Sequence, residues 1–335
     1  MIQIDGNIGG GQVLRTALGL SVLLNKPFSL NNIRIKRPNS GLQEQHLQTV
    51  ISSASISSAE VIGAYKGSLE LKFFPKEIKK QKISVEIKTA GSVGLVLQPL
   101  LIVGLKHKLE GEIYGGATYG KWAASIDFVK NVLGFCLKKL GVELKLDVIK
   151  HGFYPKGGSV VKFLVEPKEG EVAKIINVSG EIKKIKIISV SSVGLKKREV
   201  AERMTNKACE ILEKLNCKIE KEIKYVESIC DGCGITIFAE FDEGIIGSSS
   251  VGEVGKTAED VAKETATTLY EDIKSFGLDR FSSDQVLPFA AYHGCEVYVS
   301  RITEHILSNI EVIKKFLDVE TKIENRKIVF ISKSF

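Results

Sequence analysis

His305 stands in the run Thr303-Glu304-His305-Ile306-Leu307-Ser308-Asn309-Ile310-Glu311, and its side chain is the one best placed for covalent chemistry. Ser308 and Glu311 have capping-box spacing, which predicts a helix starting just after Ser308 with His305 before its N-terminus. The positive end of the helix dipole favours a neutral imidazole and attracts anionic groups. Neutral imidazole is the form that acts as a nucleophile. His107, in a Lys-rich turn, and His293, in a small-residue loop, offer less.

Three further segments have residue types suited to anions. Gly9-Gly10-Gly11-Gln12 leads from a strand end into an apolar helix, where free backbone N–H groups and the dipole make an anion site. It is not a dinucleotide fingerprint, because the third glycine of G-x-G-x-x-G falls at Leu14. Ile33 to His46 places Arg34, Lys36 and Arg37 just before a helix start, and guanidinium geometry matches phosphate oxygens. Lys150 to Gly158 mixes glycine, aromatic and basic residues; it reads either as a base-stacking, phosphate-clamping loop or as a plain hairpin connection.

Two tempting motifs fail. Gly252-Glu253-Val254-Gly255-Lys256-Thr257 lacks the first glycine of a P-loop, since Ser250 stands there, and Ile245–Ser250 reads poorly as the preceding strand. Gly255 and Lys256 instead prepare the next helix. Cys230-Asp231-Gly232-Cys233 has metal or redox spacing, but no second pair completes a zinc site; two turn cysteines, with or without a local disulfide, is the plainer reading.

The 335 residues suffice for about two domains. The net charge of +7 permits a polyanionic partner without demanding one, and a Lys/Glu-rich surface explains it as well. No apolar run reaches the roughly 20 residues of a membrane span. Val93–Leu105, interrupted by Gln98 and Pro99, reads as a buried helix. A strand-like start without a basic or apolar leader makes the expected location cytoplasmic.

These residues must be positioned by alternating strands and helices. Strands are expected at 1–5, 29–35, 68–74, 83–88, 109–114, 143–148 and 158–165, and helices at 11–24, 42–57, 93–105 and 125–140. From about Gly180 the texture changes: a strand at 183–191, an amphipathic helix at 197–215, strands at 219–227 and 234–240, and a helix at 257–276. Gln12, Gln98 and Gln285 each sit in or lead an apolar helical run. The second of the two intervals between them is longer by about 100 residues, roughly the size of the odd segment. The expected fold is therefore α/β (α+β): a large domain of three repeated βαβαββ-like units, 1–179 plus 274–335, with a smaller α/β domain, 180–273, inserted before the third unit is completed.

The stretches IDGN…GGGQVLRTAL, RIKRPNSGLQEQHL, AGSVGLVLQ, HGFYPKGG, FSSDQVLP and HILSNI, in this order, resemble the RNA 3′-terminal phosphate cyclase family along essentially the whole chain. The resemblance implies a ligase that uses ATP and a divalent metal, Mg²⁺ or Mn²⁺, on RNA bearing a 3′-terminal phosphate. It implies that His305 becomes adenylylated, that AMP passes to the RNA 3′-phosphate, and that the 2′-OH displaces AMP to close a 2′,3′-cyclic phosphate. Phe281, Ser282, Ser283, Asp284 and Gln285, with Gln98, match the family's nucleotide-binding positions. Arg15, Arg37 and Gln45, with Gly10, Gly11 and Gln12, are the phosphate- and RNA-binding candidates, and the HGFYPKGG loop lies near the site. The family's first loop usually reads G-E-G-G-G-Q, with a Glu that helps organise metal; here the loop is about two residues short and that Glu is absent, so the metal ligands are unassigned. Ser40 replaces a common Pro, and Tyr119–Ala124 departs from the usual Pro-bearing loop.

Two rival readings exist. A non-catalytic cyclase-like RNA-binding or ribosome-assembly protein lacks the nucleophilic histidine, whereas His305 is present. An enolpyruvyl-transferase-type enzyme shares the repeated architecture and gives His305 no role. A homo-oligomer is among the assemblies the sequence permits.

Overall fold

A computed structural model describes residues 1–332. The chain runs through three copies of one pattern. The first comprises β1 (Ile2–Asp5), α1 (Gly11–Leu24), β2 (Phe28–Asn31), α2 (Glu44–Ser57), β3 (Glu60–Ile62) and β4 (Leu71–Phe74). The second comprises β5 (Lys82–Ser92), α3 (Val93–Val103), β6 (Leu109–Ala117), α4 (Ile126–Phe128) continuing through a π segment, Val129–Leu133, into α5 (Gly134–Lys139), then β7 (Val142–Lys150) and β8 (Ser159–Pro167). The third opens with β9 (Ile175–Ile176) and is then interrupted.

The interruption is β10 (Ser179–Ser192), α6 (Val200–Leu212), β11 (Lys218–Val226), β12 (Cys233–Glu243), β13 (Ile245–Val251) and α7 (Ala258–Ser275). The third pattern resumes with α8 (Ser282–Gln285), α9 (Leu287–His293), β14 (Glu296–Tyr298), α10 (Glu304–Phe316), β15 (Val319–Glu324) and β16 (Lys327–Ser332). The sheets read β1-β2-β4-β3, β5-β6-β8-β7 and β9-β14-β16-β15, the same order three times, beside a fourth sheet, β11-β10-β12-β13. In each repeat the first two strands are parallel, as a strand–helix–strand crossover requires, and the last two are antiparallel.

Sequence texture explains the layering. β5 alternates, with Ile83, Val85 and Ile87 buried and Ser84, Glu86 and Lys88 exposed, so one sheet face meets helices and the other meets water. α1, mostly apolar but carrying the buried polar residues Gln12, Arg15 and Thr16, is buried from Gln12 to Leu23 and α3 almost throughout, as central helices enclosed on every side. They pack closely because Gly19 has no side chain: a Cβ there would lie 2.7 Å from Ile102 Cδ1. The helix accepts a glycine, at a cost of about 1 kcal/mol relative to alanine, to gain that approach. These central helices, each the first of its repeat, bring Gln12 and Gln98 to the middle of the molecule, and α8 brings Gln285 there.

Several expectations need correction. α10 begins at Glu304, with Thr303 as its cap, because Thr303 Oγ1 accepts the Ile306 N–H at 3.3 Å. His305 therefore lies within the first turn. Ser308 is interior, its hydroxyl bonding back to the carbonyls of Glu304 and His305. Ile245–Val251 is a regular strand, since its backbone pairs with β12 despite the Gly/Ser composition. The strand expected to reach Ile35 ends at Asn31; beyond it Asn32 and Arg34 take left-handed backbone angles incompatible with a strand. β3 was not foreseen, and α2 starts at Glu44 because Gln43 caps it. The last three residues of the 274–335 segment lie outside the described residues.

Candidate active site

The N-terminal end of α1 makes the floor. Asp5 accepts the Asn7 N–H at 2.9 Å, setting a tight 3₁₀ turn at Gly6–Ile8. Gly9 and Gly10 then pass through extended backbone into the helix. The glycines serve close approach. A Cβ on Gly9 would meet Gln12 Nε2 and Ser308 Oγ at 2.7 and 2.9 Å, and one on Gly11 would meet His46 Nε2 and Arg15 Nη1 at 2.7 and 2.8 Å. Gln12 is buried; its carbonyl accepts the Gly10 N–H at 3.1 Å and its amide donates to Ser308 Oγ at 3.0 Å, tying α1 to α10. The Gly9 N–H is spent on the Gly6 carbonyl. The open N–H groups at this end of α1 are those of Gly11 and Gln12.

Arg15 lies one turn into α1, 9% exposed. Its Nε donates to Gln98 Oε1, and Gln98 Nε2 donates to Gln285 Oε1 at 2.7 Å. This chain joins the first helices of all three repeats. Burial pushes Arg15 down to about 10, against the pull of the nearby Asp284 carboxylate. An arginine with that value is still charged at neutral pH, so the structure holds a buried, poorly hydrated cation. Thr16 Oγ1 donates to Asn309 Oδ1 at 2.9 Å, and Asn309 Nδ2 to the Asp284 carbonyl at 3.0 Å, fixing α10 against α1 and α8. Gln12, Arg15, Gln98, Asp284, Gln285 and Asn309 line one crevice with a cavity of about 20 Å³.

His305 is exposed at the mouth, and its Nδ1 stands 3.6 Å from Asp284 Oδ2. That is just beyond hydrogen-bond length. With Nδ1 facing the carboxylate, Nε2 is the nitrogen left for chemistry.

The other candidates fall into distinct places. Arg37 is exposed, its Nη2 3.7 Å from where a Gly10 side chain would begin, so it overhangs the glycine loop. Gln45 Oε1 accepts the Ser92 N–H at 3.0 Å and braces α2 against the start of α3. Ser282 and Ser283 are fully buried, and both hydroxyls donate to Asp279 or the Leu278 carbonyl. Phe281 packs edge-on against Phe128, with ring centroids 5.6 Å apart. Within the expected nucleotide segment, Asp284 and Gln285 are thus the side chains that reach the crevice.

HGFYPKGG packs against the segment after β6 and the Cys230–Cys233 turn. Phe153 packs on Tyr119 and against Gly232, and Cys230 Sγ donates to the Phe153 carbonyl at 3.5 Å. The six cysteines are all free thiols, so Cys230 and Cys233 share no disulfide.

Two residues escaped the sequence reading. His46 Nδ1 accepts the Gln43 N–H at 3.1 Å, so its proton sits on Nε2, toward Gly11 and Arg15. Burial, then the charges of Arg15 and Arg34, push it down to about 3. It is a fixed neutral donor, and its position three residues after Gln43 was the available signal. Asp279 accepts the N–H groups of Gly247, Phe281 and Ser282, yet burial raises it to about 7. Its place three residues before Ser282 matches a cap.

The repeated fold, with His305 facing Asp284 and Asp284 sharing a crevice with the buried Arg15, has the layout of an α/β enzyme. The family model for RNA 3′-terminal phosphate cyclase matches residues 7–323. An RNA 3′-terminal phosphate cyclase of Pyrococcus abyssi (strain GE5 / Orsay) is 38% identical over 322 residues, 95% of this chain and 93% of its own. Proteins of the same name from Saccharolobus islandicus (strain L.S.2.15 / Lassen #1), 40% identical over 98% of this chain and 97% of theirs, and from Thermococcus kodakarensis, 37% identical over 96% and 94%, are similar along the whole length. The chain belongs to the RNA 3′-terminal phosphate cyclase family and is a ligase-type, RNA-processing enzyme.

Proposed function

We propose that the enzyme converts an RNA 3′-terminal phosphate to a 2′,3′-cyclic phosphodiester with ATP as co-substrate, through a covalent histidine–AMP. His305 Nε2 attacks the α-phosphorus, the bond to the bridging oxygen breaks, and pyrophosphate leaves. An RNA 3′-phosphate oxygen then attacks the same phosphorus and releases His305. The 2′-OH attacks the RNA phosphorus, loses its proton, and expels AMP. Each step installs a better leaving group before the next attack.

The observation that carries this reading is the placement of His305 in the first turn of α10, with Nδ1 facing Asp284. Arg15, with the open end of α1 and the overhanging Arg37, offers positive charge to the phosphates, and His46 adds a neutral N–H. Gln98, Asp284 and Gln285 are assigned to the nucleotide. Phe281, Ser282, Ser283, Gln12 and Gln45 are assigned to shaping the site. No group of three metal-ligating side chains occurs among the described residues. Mg²⁺ commonly takes one or two carboxylates beside substrate phosphates, so Asp284 is where a nucleotide-borne Mg²⁺ or Mn²⁺ would be held, supplying charge neutralisation. We assign 180–273 as a domain inserted into a catalytic body of 1–179 plus 274–335, acting in the cytoplasm. Among the described residues no helix is long and apolar enough to cross a membrane.

The test is incubation with α-labelled ATP and Mg²⁺ or Mn²⁺. Acid-labile, hydroxylamine-sensitive label on the protein is expected; equal labelling of His305→Ala would overturn the assignment.

A further inference from the structure

A second groove lies between the loop after β6, the Tyr154-Pro155 turn, and the first residues of α6 and α7. Its cavity is about 690 Å³. Trp122 stands beside it 95% exposed, at the left-handed angle φ +57. A bulky residue in that region is a genuine outlier, and a folded chain gains nothing by presenting an indole to water. Tyr154 is exposed on the groove wall. Lys121 sits between the two rings, its Nζ 4.8 Å from the Tyr154 centroid and 6.0 Å from that of Trp122. Arg198, on the far side, ends the exposed run Lys196-Lys197-Arg198 and has no ionic partner among the described residues.

We propose that this groove holds the single-stranded body of the RNA upstream of its 3′-phosphate, with bases stacked on Trp122 and Tyr154 and phosphates on Lys121 and Arg198. The inference rests on the cyclase reading and extends it to a subsite. Aromatic faces alternating with cations are what sequence-tolerant single-strand binding requires. The groove adjoins the site. Gly120 packs on Ser92, with a Cβ–Cβ distance of 3.5 Å if it had a side chain, and Ser92 is the cap of α3 held by Gln45. Gln98 lies six residues further along α3, about 9 Å along the axis. Two acidic residues line the groove: Glu253 is paired to Lys121 at 2.7 Å, and Asp231 accepts the Ser192 hydroxyl at 2.9 Å. An ion pair this exposed is worth little, so a phosphate displaces it readily.

Trp122 is the only tryptophan, so intrinsic fluorescence reads the groove directly. Titration with an unreactive RNA of about 12 nucleotides, ending in a 3′-hydroxyl, is expected to quench the emission and to bind more weakly as salt rises. RNA that binds by anisotropy while tryptophan emission stays constant overturns the groove, whatever the state of the cyclase reading. In turnover, Trp122→Ala with Tyr154→Ala is expected to raise KM for a 3′-phosphorylated RNA of that length by roughly tenfold or more relative to a dinucleotide 3′-phosphate. Trp122→Phe should recover most of it. Equal KM shifts for both lengths, or none, would also overturn the proposal. Failure of His305 labelling with the quench intact would strike the cyclase mechanism instead.

Discussion

Two glycine-rich loops run into helices, Gly9–Gly11 before α1 and Gly252–Lys256 before α7, and they have opposite fates. The first is packed under His46, Arg15 and Ser308, and its glycines are needed because side chains from three helices crowd them. The second lies open: Val254 is fully exposed, Glu253 is paired to Lys121, and a Cβ on Gly255 would meet nothing within 4 Å. Gly255 is there for its backbone angle, φ +86. α7 is started by Thr257, whose hydroxyl accepts the Asp260 N–H, while α1 has no side-chain cap. Local grammar is nearly the same in both. What surrounds the helix end makes one a candidate reaction site and the other part of a surface groove.

That contrast can be broken in graded ways. The largest effect is expected from His305→Ala, which removes the proposed nucleophile: protein labelling by α-labelled ATP should fall at least about a thousandfold. Arg15→Ala should lower the labelling rate by roughly 10²-fold, since the proposed buried phosphate donor is lost, while the far-ultraviolet circular dichroism stays native. Arg15→Lys should recover little, because the bond from Nε to Gln98 is not replaced.

The glycines themselves give the sharpest comparison. Gly11→Ala must displace His46 or Arg15 and is expected to slow labelling roughly tenfold, more if backbone shifts. Gly255→Ala should cost about 1 kcal/mol in denaturant unfolding, from strain at positive φ, and leave labelling faster than in Gly11→Ala. Equal labelling rates in the two variants would refute the distinction between close approach and backbone angle.

Stability against pH is affected separately. His46 has about 3 folded against 6.5 for a free imidazole. Above 6.5 neither state binds the proton and there is no penalty. As pH falls from 6.5 toward 3 the unfolded chain takes up a proton that the folded chain refuses, so stability is lost by up to about 1.4 kcal/mol per pH unit. Asp279 acts in the opposite sense: raised to about 7, it loses stability as pH climbs from the ordinary carboxylate value to 7. His46→Gln should therefore flatten the acid side of the stability profile, and Asp279→Asn the rise in cost toward neutrality. A profile for His46→Gln as steep as the wild type's on the acid side would assign the acid sensitivity to other groups.

Much of the architecture was legible. The 3.6-residue pattern located α1 to the residue, and the recurrence of Gln12, Gln98 and Gln285 exposed the threefold repeat, because each repeat must bury one helix of similar character. Helix starts were less legible. Thr303 and Ser308 are both competent caps, and choosing between them depends on where α1 and α8 hold the chain through Asn309. β13 was missed for a related reason: its serines and glycine have little strand preference, and pairing with β12 imposes the conformation.

By itself the sequence determined the repeated α/β plan, the candidate nucleophile His305 and the basic segment that includes Arg37, since these follow from residue type, period and spacing. Tertiary structure alone decided which polar side chains face the crevice. It turned Ser282 and Ser283 inward to Asp279, spent Gln45 on Ser92, held His46 neutral beside Arg15, and set Asp284 against His305. The physical reason is that hydrogen bonding and charge burial depend on distances between segments that lie far apart in the chain, and a linear pattern of residue types does not contain those distances.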